Sequence, residues 1–144
     1  MLRAVLDSNV FVSSLLTRHG RAARLLDMWR ERRFALLTAE AIIEEIETVL
    51  GRARLRDKYN LRPEDTAQLI TLLRHEALVI PLLTDTSGAM ADDPADEKFL
   101  ACAIDGMADY LVSGDRHLLA LEEYRGIPIV TLRHFTELVE EGSA

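Results

Sequence analysis

With 144 residues, 49% of them apolar, the chain has the length of one domain and the material for a proper core. A formal net charge of −7 argues against a simple basic nucleic-acid binder, a single cysteine excludes a disulfide framework, and no apolar run is long enough to span a bilayer. Met1–Leu6 is too short for a secretory leader and runs straight into Asp7, so the expectation is a single domain over residues 1–144, cytoplasmic, with no membrane contact.

The elements alternate along the chain. Leu2–Leu6 reads as a short apolar strand that Asp7-Ser8-Asn9 ends, and Val10–Leu16 as a helix broken by His19-Gly20. Arg21–Arg33 is a helix with Ala22, Leu25, Leu26 and Trp29 on one face. Phe34–Leu37 is a second strand, and Thr38 suits the N-cap of a helix over Ala39–Leu50. Gly51–Tyr59 is a short basic helix or turn, and Pro63 starts a helix that runs to about Glu76. Leu78–Leu82 is a third strand, which Pro81 places at an edge. After a loop over Thr84–Ala91, Asp93 and Pro94 suit the N-cap and first position of a helix whose stripe is Leu100, Ala103 and Met107, with Asp96 one turn before Leu100. Tyr110–Val112 and Ile127–Val130 are the last strands, Asp115 opens the helix after the first of them, and Thr131 caps a final helix to about Glu141. Residues 142–144 read as a frayed tail.

Short apolar strands alternating with helices predict an α/β protein, three-layer α/β/α, with a short parallel sheet covered on both faces. Ligands of such sheets sit beyond the carboxyl ends of the strands. Asp7 and Asp115 occupy such ends, and Asp96 begins the helix that leads to the second of them. On the wheel of Ala39–Leu50 the buried stripe is Ile42, Ile46, Val49 and Leu50. Glu45 borders that stripe, Glu44 projects away from it, and Glu47 borders its other edge.

Each acid taken singly also fits an ordinary cap or first-turn position. Four acids from four elements at one sheet end are a different matter. Clustered carboxylates repel unless a cation joins them, and Mg²⁺ or Mn²⁺ suits all-oxygen donors. The charge is also uneven: residues 1–62 carry 12 Lys+Arg against 8 Asp+Glu, and residues 63–144 carry 5 against 16. That pattern fits a basic approach surface beside a cation-binding centre, and equally a merely solvated surface. Arg21, Arg24, Arg52, Arg54 and Arg56 are candidates for phosphate contacts.

Leu6-Asp7-Ser8-Asn9-Val10, Glu44-Glu45-Ile46 with Val49-Leu50, Asp93-Pro94-Ala95-Asp96 and Val112-Ser113-Gly114-Asp115, in this order and spacing, resemble the PIN-domain ribonucleases. The resemblance runs from Leu2 to about Phe135 and is strongest to the VapC-like toxins of bacterial and archaeal toxin–antitoxin pairs. It implies Asp7, Glu45, Asp96 and Asp115 as the catalytic, metal-binding acids; within that set the expectation is that Asp7, Asp96 and Asp115 hold the metal and Glu45 completes the acidic pocket. It implies Asn9 and Ser113 as supporting polar residues and Asp93 as an outer acid. It also implies Mg²⁺ or Mn²⁺, an RNA substrate and a cognate antitoxin protein, with a homo-oligomer left open. The second acid stays open between Glu44 and Glu45, the wheel favouring Glu45.

Two rival classes remain. A catalytically idle PIN scaffold would bind protein or RNA without cleaving. A phospho-accepting α/β signalling domain would want a lysine after a late strand, and neither Lys58 nor Lys98 is so placed. His19, His75, His117 and His134 show no metal-ligand spacing, which favours exposed or capping roles.

Overall fold

The computed structural model describes residues 1–142. In chain order, the first half contains β1 (Arg3–Leu6), α1 (Ser8–Leu16), α2 (Arg21–Arg30), β2 (Ala35–Thr38), α3 (Glu40–Leu50), α4 (Ala53–Tyr59) and α5 (Pro63–Glu76). The second half contains β3 (Leu78–Val79), α6 (Glu97–Asp105), β4 (Tyr110–Val112), α7 (Arg116–Ala120), β5 (Glu123–Tyr124), β6 (Ile127–Val130) and α8 (Leu132–Glu141). No helix among the described residues is long and apolar enough to cross a membrane.

The sheet runs in the order β3-β2-β1-β4-β6-β5. Every pairing is parallel except β5 with β6. The expected three-layer α/β/α architecture is the one observed. β1 lies at the centre because Ala4, Val5 and Leu6 are all apolar, and all three are fully buried. Consecutive apolar residues are what a strand covered on both faces requires. The helices contribute their predicted stripes: Ala22, Leu25, Leu26 and Trp29 of α2, and Ile42, Ile46 and Leu50 of α3, are buried. Phe135 of α8 sets its ring edge-on to Phe34, 5.2 Å between centroids, and tilted against Tyr110, closing the core under the strand starts.

The register aligns the strand exits. Leu6 pairs with Val112 and Val112 with Val130, so the chain leaves β1, β4 and β6 at one level. Asp7, Ser113 and Thr131 are the residues that emerge there.

Four local expectations are corrected, and one element is new. Thr38 does not cap α3: it is the last residue of β2, and Ala39 stands at the cap position without a side-chain bond. β3 stops at Val79, because Thr38 ends its neighbour and Pro81 has no N–H to offer; it is the edge strand expected, but half-exposed. Asp93 makes no capping bond; Pro94–Asp96 form a single 3-10 turn and the α-helix begins at Glu97. Met107 is 78% exposed and left-handed, because the helix ends at Gly106. A side chain at Gly106 would meet Leu37 Cδ1 and the Cys102 carbonyl at 2.9 Å, so the backbone packs closely there. Finally, β5 was not anticipated. It forms a hairpin with β6 through Arg125-Gly126, both at positive φ, the conformation that two-residue hairpin turns require. Of the expected tail, Gly142 is the C-cap of α8, while residues 143–144 lie outside the described residues.

Candidate metal centre

Asp7 is buried, 3% exposed, immediately after β1. Its backbone is fixed by the Asp7 N–H donating to the Val112 carbonyl at 3.0 Å. Its side chain caps α1, accepting from the Val10 N–H at 3.2 Å. Burial raises the Asp7 carboxyl above the ordinary carboxylate range, against the hydrogen bond from Ser113 and the amides of Val10, Gly114 and Asn9, which pull it down.

Ser113 follows β4 and is held by its own N–H donating to Val130. Its hydroxyl donates to Asp7 Oδ2 and accepts from the Asp115 N–H at 2.9 Å. Asp115 is the N-cap of α7, its Oδ1 accepting from the amides of His117 at 2.7 Å and Leu118 at 3.2 Å. Two of the strand-end acids are thus joined through one hydroxyl.

Asp96 adds the third acid of this rim. Its carboxyl is pushed up to about 7 by burial first, then by the charges of Asp93 and Asp115 and a hydrogen bond with Asp93, while Lys98 pulls it down. Asp93, Asp115 and His117 form the tightest group: one ligand atom from each lies within 4.8 Å of the others. Glu45 is tied to this cluster through Lys98, whose Nζ donates to Glu45 Oε1 at 2.8 Å and also to the Ala95 carbonyl. Glu44 is exposed and Glu45 half-buried, as the helical wheel favoured.

Hydrogen bonds join Asp7, Ser113 and Asp115 on one side and Lys98 and Glu45 on the other, and Asp96 lies between them electrostatically, feeling the charges of Asp115 and Lys98. Asp93 and His117 lie beside Asp115. Asn9 lends only its backbone amide to Asp7; its side chain is exposed. Near the same strand ends, the buried hydroxyls of Ser8 and Thr38 have no hydrogen-bond partner among the described residues.

Of the arginines, Arg24 is engaged by Glu140 of α8 at 2.8 Å. Arg52, Arg54 and Arg56 are exposed and make no ion pair among the described residues; α4 buries nothing. Arg21, at the start of α2, is exposed as well. Two grooves lie elsewhere, one lined by Trp29, Phe34 and Leu72 and another by Leu15, Leu26 and Leu69, and neither is lined by the acids of this rim. The chemistry-bearing side chains mark the site.

Sequence reasoning missed two participants, His117 and Lys98; Asp93, expected as an outer acid, has a carboxylate oxygen within 4.8 Å of ligand atoms of Asp115 and His117. His117 was set aside for want of ligand spacing, but the turn that begins α7 brings it back to Asp115, Nδ1 to Oδ1 3.9 Å. Lys98 carried no motif; only the packing of α6 on α3 turns it toward Glu45.

The donors fit a hard divalent cation: carboxylate oxygens with one imidazole, and a carboxyl held up near 7 by burial and by neighbouring negative charge that a cation would relieve. The fold and this acidic rim define an α/β/α domain, mostly parallel in its sheet, with a candidate divalent-cation site at the strand ends. The chain belongs to the PIN-domain family: a family model described as PIN domain matches residues 3–117. PIN domains are generally nucleases and typically bind divalent metals. The chain is 26% identical over 122 residues to the uncharacterized protein MJ1680 of Methanocaldococcus jannaschii, covering 85% of this chain and 76% of that one. Its fold is similar to the crystal structure of PAE2754 from Pyrobaculum aerophilum, with a TM-score of 0.57 at 18% identity over 97% of this chain and 90% of that one.

Proposed function

We propose that this protein is a Mg²⁺- or Mn²⁺-dependent endoribonuclease that serves as the toxin of a toxin–antitoxin pair in the cytoplasm. The observation that carries the catalytic part is the gathering of acids at the strand ends: Asp7 and Asp115 joined through Ser113, and Asp96 held near 7 by burial and by the charges of Asp93 and Asp115. Asp7, Asp96 and Asp115 hold the ion, with Asp93 and His117 beside them. When bound, the ion lowers the pKa of water and stabilises the oxyanions of phosphodiester displacement.

The chain's own residues set up that reaction. Ser113 fixes the Asp7 carboxylate and the Asp115 backbone relative to each other. The first turn of α7 occupies Asp115 Oδ1, which leaves Oδ2 for the site. Without the ion, burial and the charges of Asp93 and Asp115 push the Asp96 carboxyl up to about 7; an ion held there would keep it ionised, so binding and proton release at Asp96 are linked. Arg54 and Arg56 on α4, with Arg52 just before it, contact the RNA backbone, positioning without reading sequence. The toxin role and the antitoxin partner rest on the motif resemblance to the VapC-like group.

The test is cleavage of RNA by purified protein with EDTA, Mg²⁺ or Mn²⁺. Divalent-dependent cleavage that Asp7→Asn, Asp96→Asn and Asp115→Asn each abolish is the expected result. Metal binding without cleavage identifies an idle scaffold instead. Co-expression with the product of the adjacent gene, restoring growth that the protein alone arrests, tests the toxin role.

A further inference from the structure

Lys98 is the one lysine near the acidic rim, and its position is built rather than incidental. Its side chain is only 16% exposed, and Glu45 is 31% exposed. Lysine is rarely buried to this degree unless paired. Nζ is fixed by two acceptors on different elements, Glu45 Oε1 on α3 and the Ala95 carbonyl just before α6. The ammonium also sits over the Phe99 ring, 5.0 Å from its centroid, and Phe99 is itself in the core. Its charge acts on Asp96, which also feels Asp93 and Asp115.

The donors therefore divide. Asp93, Asp115 and His117 have ligand atoms within 4.8 Å of one another. Glu45 instead has its own cation 2.8 Å away. In two-metal phosphodiester sites a second ion sits a few ångström from the first and needs further carboxylates of its own. Here a divalent ion reaching Glu45 Oε1 must displace the ammonium, and one approaching from elsewhere meets its positive charge.

We propose that Lys98 is the built-in second cation of this site, so that the acidic rim takes one divalent ion and Glu45 serves as the anchor of Lys98 rather than as a metal ligand. This rests on the metal-site reading above. Lys98 is a positioning residue here: it neutralises Glu45, lowers the excess negative charge that an RNA phosphate meets, and keeps the rim from recruiting a second ion. A staple that only joins α3 to α6 would make the same contacts, but removing Lys98 changes metal affinity in opposite directions under the two roles.

The experiment is Mn²⁺ titration of the full chain, by calorimetry and by the loss of the free-ion paramagnetic resonance signal, for wild type, Lys98→Met, Glu45→Gln and the double variant. Wild type binds one ion. Lys98→Met gains affinity, on the order of tenfold, or binds a second ion, because a unit positive charge beside a partly buried divalent site is poorly screened. The double variant returns to one ion, since the second needs Glu45. Glu45→Gln alone still binds one ion, at somewhat lower affinity because the Lys98 ammonium is then uncompensated. Two ions on wild type overturn the proposal while leaving the metal reading intact. A loss of affinity of about 10–100-fold in Lys98→Met, the behaviour of an ordinary outer support of metal ligands, overturns it as well. No ion on wild type overturns the metal reading and this proposal together. If Lys98→Met does not fold, Glu45→Gln decides: loss of the ion makes Glu45 a ligand and sinks the idea, whereas retention upholds it.

Discussion

Ser113 donates its hydroxyl proton to the Asp7 carboxylate across the ends of two adjacent parallel strands, and the same oxygen accepts the Asp115 amide. One small side chain therefore holds a buried acid and orients a second. Ser113→Ala removes the largest of the hydrogen bonds that keep the Asp7 carboxyl from rising further. A hydrogen bond to a charged group contributes about 1.5–3 kcal/mol, and urea unfolding without metal, above neutral pH, should show a loss of that order. An unchanged unfolding midpoint means that the hydroxyl does not support Asp7.

Asp96 makes the metal-free protein sensitive to pH. Its folded-state pKa of about 7 lies above the ordinary 3.8, so the folded state holds the proton more tightly than the unfolded chain. The stability this contributes is complete below the ordinary value and is lost as pH rises through about 7. In EDTA, the melting midpoint of wild type should fall across that window more than that of Asp96→Asn. Asp96 makes no capping hydrogen bond, so the variant loses none and should melt higher than wild type above neutral pH. A variant that melts lower, with the pH slope intact, returns Asp96 to a helix-dipole role.

Metal should raise the midpoint of the wild-type protein. A divalent ion at about 100 times its Kd stabilises the fold by about 2.7 kcal/mol, which corresponds to roughly 5–10 °C in a domain of this size. Differential scanning fluorimetry in EDTA and in Mn²⁺ measures the rise. Asp7→Asn, Asp96→Asn and Asp115→Asn should each diminish it. Asp115→Ala should also lower the metal-free midpoint, by about 0.5–2 kcal/mol of lost capping, because Asp115 caps α7. Full metal response in Asp115→Asn removes that residue from the site.

RNA binding should distinguish the arginines. Replacing Arg52, Arg54 and Arg56 together with alanine should weaken binding to all sequences alike and reduce the salt slope by up to about 2, at roughly 0.7 per phosphate contact on a single strand. Arg24→Ala should leave binding unchanged, because Glu140 already engages its guanidinium. Filter binding with uncleavable RNA over a salt series reads both. An unaltered slope in the triple variant makes α4 a solvated face.

Glu45→Gln should impair cleavage and Glu44→Gln should not, since only Glu45 is half-buried and tied to the cluster. Single-turnover cleavage rates decide it. An inactive Glu44→Gln would reverse the assignment of the second acid.

The sequence by itself determined the layer architecture, because a parallel sheet covered on both faces needs consecutive apolar residues and the helices need period-spaced ones. Both patterns are local and visible in Ala4-Val5-Leu6 and in Leu25, Leu26 and Trp29. It also placed Asp7 and Asp115 at strand ends, since an apolar run followed by Asp marks where a buried strand meets the surface. The choice of Glu45 over Glu44 followed from the wheel alone. Caps and ends were less legible: Thr38 looks like an N-cap, but parallel pairing extends β2 through it, and Met107 fits a stripe that the close packing of Gly106 cuts short. The β5 hairpin went unseen because Arg125 is not a residue that announces a positive-φ turn. Only the tertiary structure decided which groups meet. Asp93 and His117 join Asp115 through a 3-10 turn and the first turn of a short helix. Lys98 meets Glu45 from 53 residues away. No spacing rule encodes such a contact, because it depends on how α6 lies against α3, and that is set by the whole core beneath them.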